Sequence, residues 1–256
     1  MRGDRFTGKI AIVSGGSTGC GAAAARMLAA EGAKVGVIDR KADIGRQLVK
    51  EIRDAGGTAV FAEADVSDAA AVKAAVKTVT DANGPATLLF NHAGITIVKP
   101  FLELTQADIN NMIGINVHSM FFMSQAVLPG MLAAGGGAIV CTSSCSAICA
   151  TPMEVLYDTT KGAVHQFARS LAIEFRDRNI RCNAVCPGFI RTPHGLGEIE
   201  ALRKYGVKVT EADIAALQVR ICEPEEVAAA ALFLLSDEAS FISATHLFVD
   251  NGYSAT

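Results

Sequence analysis

No stretch of this chain is apolar for long enough to cross a membrane. The most apolar stretches, such as Ala228 to Leu235, fall far short of the roughly 20 residues that a helical span needs. A signal pattern is missing as well. Met1-Arg2-Gly3-Asp4-Arg5-Phe6 leads straight into a strand-like run, with no separate apolar region or cleavage site. No membrane partner is expected, and the cytoplasm is the expected compartment. Nor is there a surplus of positive charge. Lys and Arg number 23 against 26 Asp and Glu, a net charge of -3, and no basic stripe or tail gathers them. Nucleic acid is therefore not an expected partner. Tryptophan is absent, which excludes nothing.

Paired metal spacing is lacking too. The seven cysteines include Cys141/Cys145/Cys149 and Cys182/Cys186, each at four-residue intervals. Zinc sites use CxxC or CxxxxC with a matching second pair. Both groups fall in predicted strands or their exits, where a spacing of four does not converge, so no metal is expected. In a cytosolic chain these cysteines read as small buried hydrophobes.

What is present is a regular alternation. Strand-like runs cover Lys9–Ser14, Ala33–Asp39, Thr58–Ala64, Ala86–Asn91, Gly136–Ser143, Ile180–Val185 and Thr245–Val249. Several are continuously apolar, as strands buried on both faces should be. Between them lie helical patterns at Gly19–Glu31, Ile44–Ala55, Ala69–Asn83, a long Gln106–Met131, Val155–Arg178 and Glu223–Leu235. Asp68 and Thr105 are the expected N-caps, and Gly32, Gly56 and Gly135 the expected stops. Repeated β-α-β units predict a doubly wound Rossmann fold: α/β, one domain over 1–256, about seven parallel strands with helices on both faces. No linker or short repeat divides the chain. The one irregular insert, about 191–216, follows a parallel strand, where a mobile lid over a ligand cleft is expected.

The first strand runs into Ser14-Gly15-Gly16-Ser17-Thr18-Gly19-Cys20-Gly21 and then four alanines. Glycine allows positive φ and close backbone approach to a pyrophosphate, and the following helix directs free N–H groups at it. Spacing GxxxGxG departs from the GxGxxG fingerprint, so the loop is a moderate signal by itself. The second strand ends in Asp39. An acid there accepts from the adenosine ribose hydroxyls and repels a 2′-phosphate, which favours NAD(H). Arg40 follows directly and could hold a 2′-phosphate or stack on adenine, so NADP remains the lesser alternative.

Tyr157 and Lys161 stand four apart on one helix face. A phenol titrates near 10, too high for a base at neutrality, and a neighbouring ammonium favours its phenolate. Ser144 ends the preceding strand 13 residues earlier, and Asn91-His92-Ala93-Gly94 ends the fourth. All then reach the carboxyl edge of the sheet, where ligands bind.

These ordered motifs identify a resemblance to the short-chain dehydrogenase/reductase family in its form of about 250 residues, essentially end to end. The matching residues are Gly15, Gly19 and Gly21; Asp65-Val66; Asn91, Ala93 and Gly94; Asn116; Ser144; Tyr157 and Lys161; and Pro187-Gly188 with Ile190 and Thr192. The resemblance implies an NAD(H)-dependent oxidoreductase that interconverts a secondary alcohol and a ketone. It makes Tyr157 the acid/base and Ser144 the group that orients the substrate oxygen. Lys161 would lower the Tyr157 pKa and hold the nicotinamide ribose, and Asn116 would position a relay water. Gly15, Ser17, Thr18, Gly19, Cys20, Gly21, Asp39 and Arg40 would line the dinucleotide from one side. Asp65 and Val66 would bracket the adenine. Asn91, Ala93, Gly94, Pro187, Gly188, Ile190 and Thr192 would line the nicotinamide half. Ser143 competes with Ser144, but the spacing matches the family for Ser144, and Ser143 is expected on the packed side. The resemblance also implies a homotetramer, with interfaces on the two longest helices and the last strand.

Departures are His92 for a usual Asn, Cys20 for Ile, Asn251 for Gly, and a polar Asp158-Thr159-Thr160 between Tyr and Lys. His92 is expected to have a structural effect only. Ser146, Met153, Glu154, Phe189, His194, Leu196 and the insert are the expected substrate contacts, with Ser144 and Tyr157. They suit a polyol, sugar, cyclic diol or hydroxylated ring. Two other readings are weighed. Relatives that reduce C=C bonds usually space Tyr and Lys further apart. A non-catalytic dinucleotide sensor would tend to lose Ser, Tyr or Lys, and this chain keeps all three.

Overall fold

The computed structural model describes residues 3–255. Seven strands make one parallel sheet: β1 Ile10–Ser14, β2 Lys34–Asp39, β3 Thr58–Glu63, β4 Leu88–Asn91, β5 Gly137–Thr142, β6 Ile180–Pro187 and β7 His246–Val249. Their order is β3-β2-β1-β4-β5-β6-β7. Inner strands are buried almost throughout, while β3 and β7 at the edges are only partly covered. That difference explains why the inner runs read as continuously apolar.

Nine α-helices are described around the sheet: α1 Gly19–Ala30, α2 Ala42–Asp54, α3 Ala69–Asn83, α4 Gln106–Ile113, α5 Ser119–Ala133, α6 Val155–Phe175, α7 Pro193–Lys204, α8 Glu211–Gln218 and α9 Pro224–Leu235. One face of the sheet packs on α1, α2 and α9. Ala24 and Ala25 meet Ala228 and Ala231 there, all at zero exposure. Small side chains let the helices approach closely. The other face packs on α3, α5 and α6. Asp68 caps α3 by accepting from the Ala70 and Ala71 amides, and Thr105 closes a capping box with Asp108. Gly32, Gly56 and Gly135 follow α1, α2 and α5 at positive φ, as stops. Six of the seven thiols are buried, and Cys149 is partly so.

Two expectations need correction. The long helix over Gln106–Met131 is broken: a π-turn at Gly114–His118 separates α4 from α5. The extra residue per turn leaves the apolar periodicity almost undisturbed, so sequence pattern does not register it. The insert over 191–216 is not irregular. Thr192 caps α7 through the Gly195 amide with Pro193 at its first position, and Thr210 and Asp213 form a capping box on α8. Glycines within α7 hid its helical signal. No helix among the described residues is long and apolar enough to cross a membrane.

Candidate active site

The chain turns back across the sheet between β1 and β4, and ligand clefts of open α/β sheets form at such reversals. Ser14 and Asn91 are paired in register at this point. Ser14 Oγ donates to Asn91 Oδ1 at 3.2 Å and accepts from the amides of His92 and Ala93. Asn91 Nδ2 donates to the Met120 carbonyl. Asn91 is fully buried and both ends of its amide are engaged, so it braces the β4 exit instead of lining the cleft as expected.

The cleft beyond that brace measures about 420 Å³. At one end lie Gly15, Thr18, Gly19 and Cys20, facing Asp39, Arg40, Asp65 and Val66. Gly15 and Gly19 adopt φ of +63° and +53°, which favour glycine. A Cβ on Gly21 would strike the Gly15 carbonyl, so Gly21 shapes the loop from behind the cleft. Ser17 also stands outside the cleft wall, but its amide donates to Asp39 Oδ2 at 3.0 Å, and the Lys41 amide donates to Oδ1 at 2.9 Å. The carboxylate is thus aimed by backbone on both sides. Thr18 makes no side-chain cap to α1, and no acid occupies its first turn. Those free N–H groups suit an anion.

At the other end stand Ser144, Tyr157 and Lys161, with Ala93, Gly94, Pro187, Gly188, Ile190 and Thr192 along the walls. Ser144 Oγ accepts from the Ser146 amide at 3.1 Å, which fixes its rotamer. Ser143 also lines the cleft, against the expectation that it packs away, but its hydroxyl is engaged, donating to the Lys161 carbonyl. Lys161 Nζ donates to the Thr142 carbonyl and lies 5.4 Å from the centre of the Tyr157 ring. Burial pulls Lys161 down to about 8. Burial also drives the Tyr157 phenol well above its usual value, helped by Glu198 and Glu154 and opposed by the hydroxyls of Ser144 and Thr96. Burial is the largest cause of that rise, with the two acids behind it.

Of the expected substrate contacts, Phe189 and His194 line the cleft. Ser146, Met153, Glu154 and Leu196 do not. Glu154 is 1% exposed, its oxygens have no hydrogen-bond partner, and burial pushes it up to about 9. The cleft wall also holds residues not expected there by name, among them Lys41, Ala64, Ile95, Thr142, His92, Ile115 and Glu198. His92 stacks on Phe90 and meets Thr142 Oγ1 at 2.9 Å, and burial holds it near 3, neutral. Ile115 enters from the π-turn. Glu198 enters from α7, one turn beyond His194. The i,i+4 relation of His194 and Glu198 was the available signal, but the insert had not been read as a helix.

A family model described as enoyl-(acyl carrier protein) reductase matches residues 15–254. The chain is a short-chain dehydrogenase/reductase. Members of this family use nicotinamide cofactors. Its relatives include a cyclopentanol dehydrogenase of a Comamonas species, 36% identical over 98% of this chain and 99% of that one. Another is the 2,5-dichloro-2,5-cyclohexadiene-1,4-diol dehydrogenase LinX of Sphingobium indicum, 34% identical over 98% of each. The crystal structure of levodione reductase superposes with a TM-score of 0.93 at 32% identity, covering 98% of this chain and 99% of that one.

Proposed function

We propose that this family member is an NAD(H)-dependent dehydrogenase that interconverts a secondary alcohol and a ketone, with Tyr157 as general acid/base. The observation that carries the reading is the meeting of Ser144, Tyr157 and Lys161 in one cleft whose far end is walled by the Asp39 carboxylate. The open N–H groups of α1 fit a pyrophosphate, Asp39 fits a ribose diol, and Gly94 leaves room beside Lys161 Nζ and Asn116 Oδ1, where a Cβ would stand 3.5 Å from each. When bound, the nicotinamide would exchange hydride with the substrate carbon and bring positive charge near Tyr157.

The protein's own residues then have distinct tasks. The Ser144 hydroxyl, held by the Ser146 amide, orients the substrate oxygen. Tyr157 gives its phenolic proton to that oxygen in the reducing direction and takes it back in the oxidising one. Lys161 stands beside Tyr157 and binds ribose. Positioned proton transfer of this kind contributes roughly 10²–10⁴-fold. α7 and α8 serve as the lid, and Phe189 and His194 meet the substrate. The cyclic alcohols named for two relatives support a cyclic or hydroxylated substrate.

Asp39 supports NAD over NADP. A homotetramer is part of the proposal. Phe121, Leu132, Val155 and Ile173 are exposed on α5 and α6, a surface suited to helix packing between copies. Light scattering tests it. Turnover is tested by following reduced nicotinamide while cyclic secondary alcohols are supplied with NAD and with NADP. No turnover with either would overturn the reading.

A further inference from the structure

Glu198 is the one carboxylate that α7 turns into the reaction end of the cleft. Its side chain is 13% exposed. Its ion-pair contact is the 3.9 Å approach to His194 Nε2. That contact supplies little charge. At 3.9 Å it is too long for a hydrogen bond, and His194 Nε2 already meets Thr96 Oγ1 at 2.9 Å. Lys161 attracts Glu198 from a distance but spends a proton on the Thr142 carbonyl. A largely buried carboxyl with no charged donor at hydrogen-bond distance is costly and gains from a ligand that brings a donor.

Glu198 and Tyr157 line the same cleft, and His194 Nε2 approaches both the Thr96 hydroxyl, at 2.9 Å, and Glu198 Oε2, at 3.9 Å. A substrate bound at Tyr157 can therefore present a second polar group to Glu198 within the same cleft. Resting on the dehydrogenase reading above, we propose that Glu198 accepts a hydrogen bond from a second hydroxyl of the substrate, so that the cleft selects neutral diols over simple alcohols.

A cationic donor in place of the hydroxyl is disfavoured. Every basic group lining this end, His92, Lys161 and His194, is held below its usual value by burial, and for both histidines by Lys161 as well. An added ammonium would meet the same penalty, while a hydroxyl adds no charge. Either protonation state of Glu198 keeps an acceptor oxygen for it. A site built around such an acceptor rejects an analogue that lacks the donor.

The test compares kcat/KM of the full chain for cyclohexanol, the cis- and trans-cyclohexane-1,2-diols and 2-aminocyclohexanol, in wild type, Glu198→Ala and Glu198→Gln. Wild type should favour at least one diol over cyclohexanol by roughly 10- to 100-fold, the span of a hydrogen bond to a charged group. Glu198→Ala should erase most of that ratio, and Glu198→Gln, which keeps an acceptor oxygen, should retain part of it. The ratio is internal to each variant, so a partly unfolded preparation does not imitate the result. Equal rates on cyclohexanol and the diols in wild type overturn the proposal and leave the dehydrogenase reading standing. A ratio unmoved in Glu198→Ala, or an amino alcohol preferred to the diols, does the same. Absence of turnover on every alcohol with either dinucleotide overturns both.

Discussion

Asn116 and Ile95 clasp each other through both backbone polar groups of Ile95. The Ile95 amide donates to Asn116 Oδ1 at 2.8 Å, and Asn116 Nδ2 donates back to the Ile95 carbonyl at 2.9 Å. The second Nδ2 proton goes to Thr160 Oγ1 at 3.0 Å, one residue before Lys161. Asn116 therefore ties the π-turn, the loop after β4 and the catalytic helix together. Its side-chain donors are spent on protein, which makes it a positioning residue.

Removing that clasp should cost stability and rate together. Asn116→Ala leaves the partly buried backbone N–H and C=O of Ile95 unpaired, a penalty of about 1–3 kcal/mol. The melting temperature should fall by roughly 2–4 °C for each kcal/mol lost. Thr160→Val removes only one partner and should cost less. Calorimetry of the two variants checks the order, and an unchanged Asn116→Ala midpoint would contradict the bracing role.

Tyr157→Phe removes the proton donor but keeps the ring. Turnover should drop by roughly 10²–10⁴-fold, while dinucleotide affinity, read by nicotinamide fluorescence, should change little. Retained turnover in this variant would sink the acid/base assignment.

Asp39→Asn keeps the shape and removes the charge. One of its two backbone contacts, to Ser17 or Lys41, must also be lost, because an amide offers a single acceptor oxygen. NADP should gain on NAD by roughly 10- to 100-fold in kcat/KM, since the repulsion of a 2′-phosphate is relieved. An unchanged ratio would show that Arg40 or another group decides cofactor choice.

Glu154 makes stability depend on pH. Its carboxyl sits near 9 in the folded chain, far above the unfolded value, because burial and the neighbouring acids oppose ionisation. The folded state therefore holds the proton more tightly. Stability should be greatest below about pH 4.5 for this group and decline as pH rises towards 9. Glu154→Gln removes that slope and should be the more stable form at neutral pH, by about 1–3 kcal/mol. The difference in melting temperature between wild type and variant should widen from pH 5 to pH 8. A difference that stays flat with pH would mean that Glu154 finds a partner in solution.

Local pattern by itself determined much of this protein. All seven strands were legible to within about two residues at each end, the inner ones because strands covered on both faces must be apolar along their whole length. Asp68 and Thr105 announced their caps, and Ser144, Tyr157 and Lys161 announced the cleft, since their spacing follows from the strand and helix that carry them. Tertiary structure decided the rest. The π-turn at Asn116 shifts one residue without changing which residues are apolar. Asn91 proved to be a brace because its partners, Ser14 and Met120, lie 77 and 29 residues away. The field on Tyr157 comes from burial and from Glu198, brought in by a helix that does not look helical in sequence. Hydrogen-bond partners and electrostatic fields depend on distance in space, and only the folded chain sets those distances.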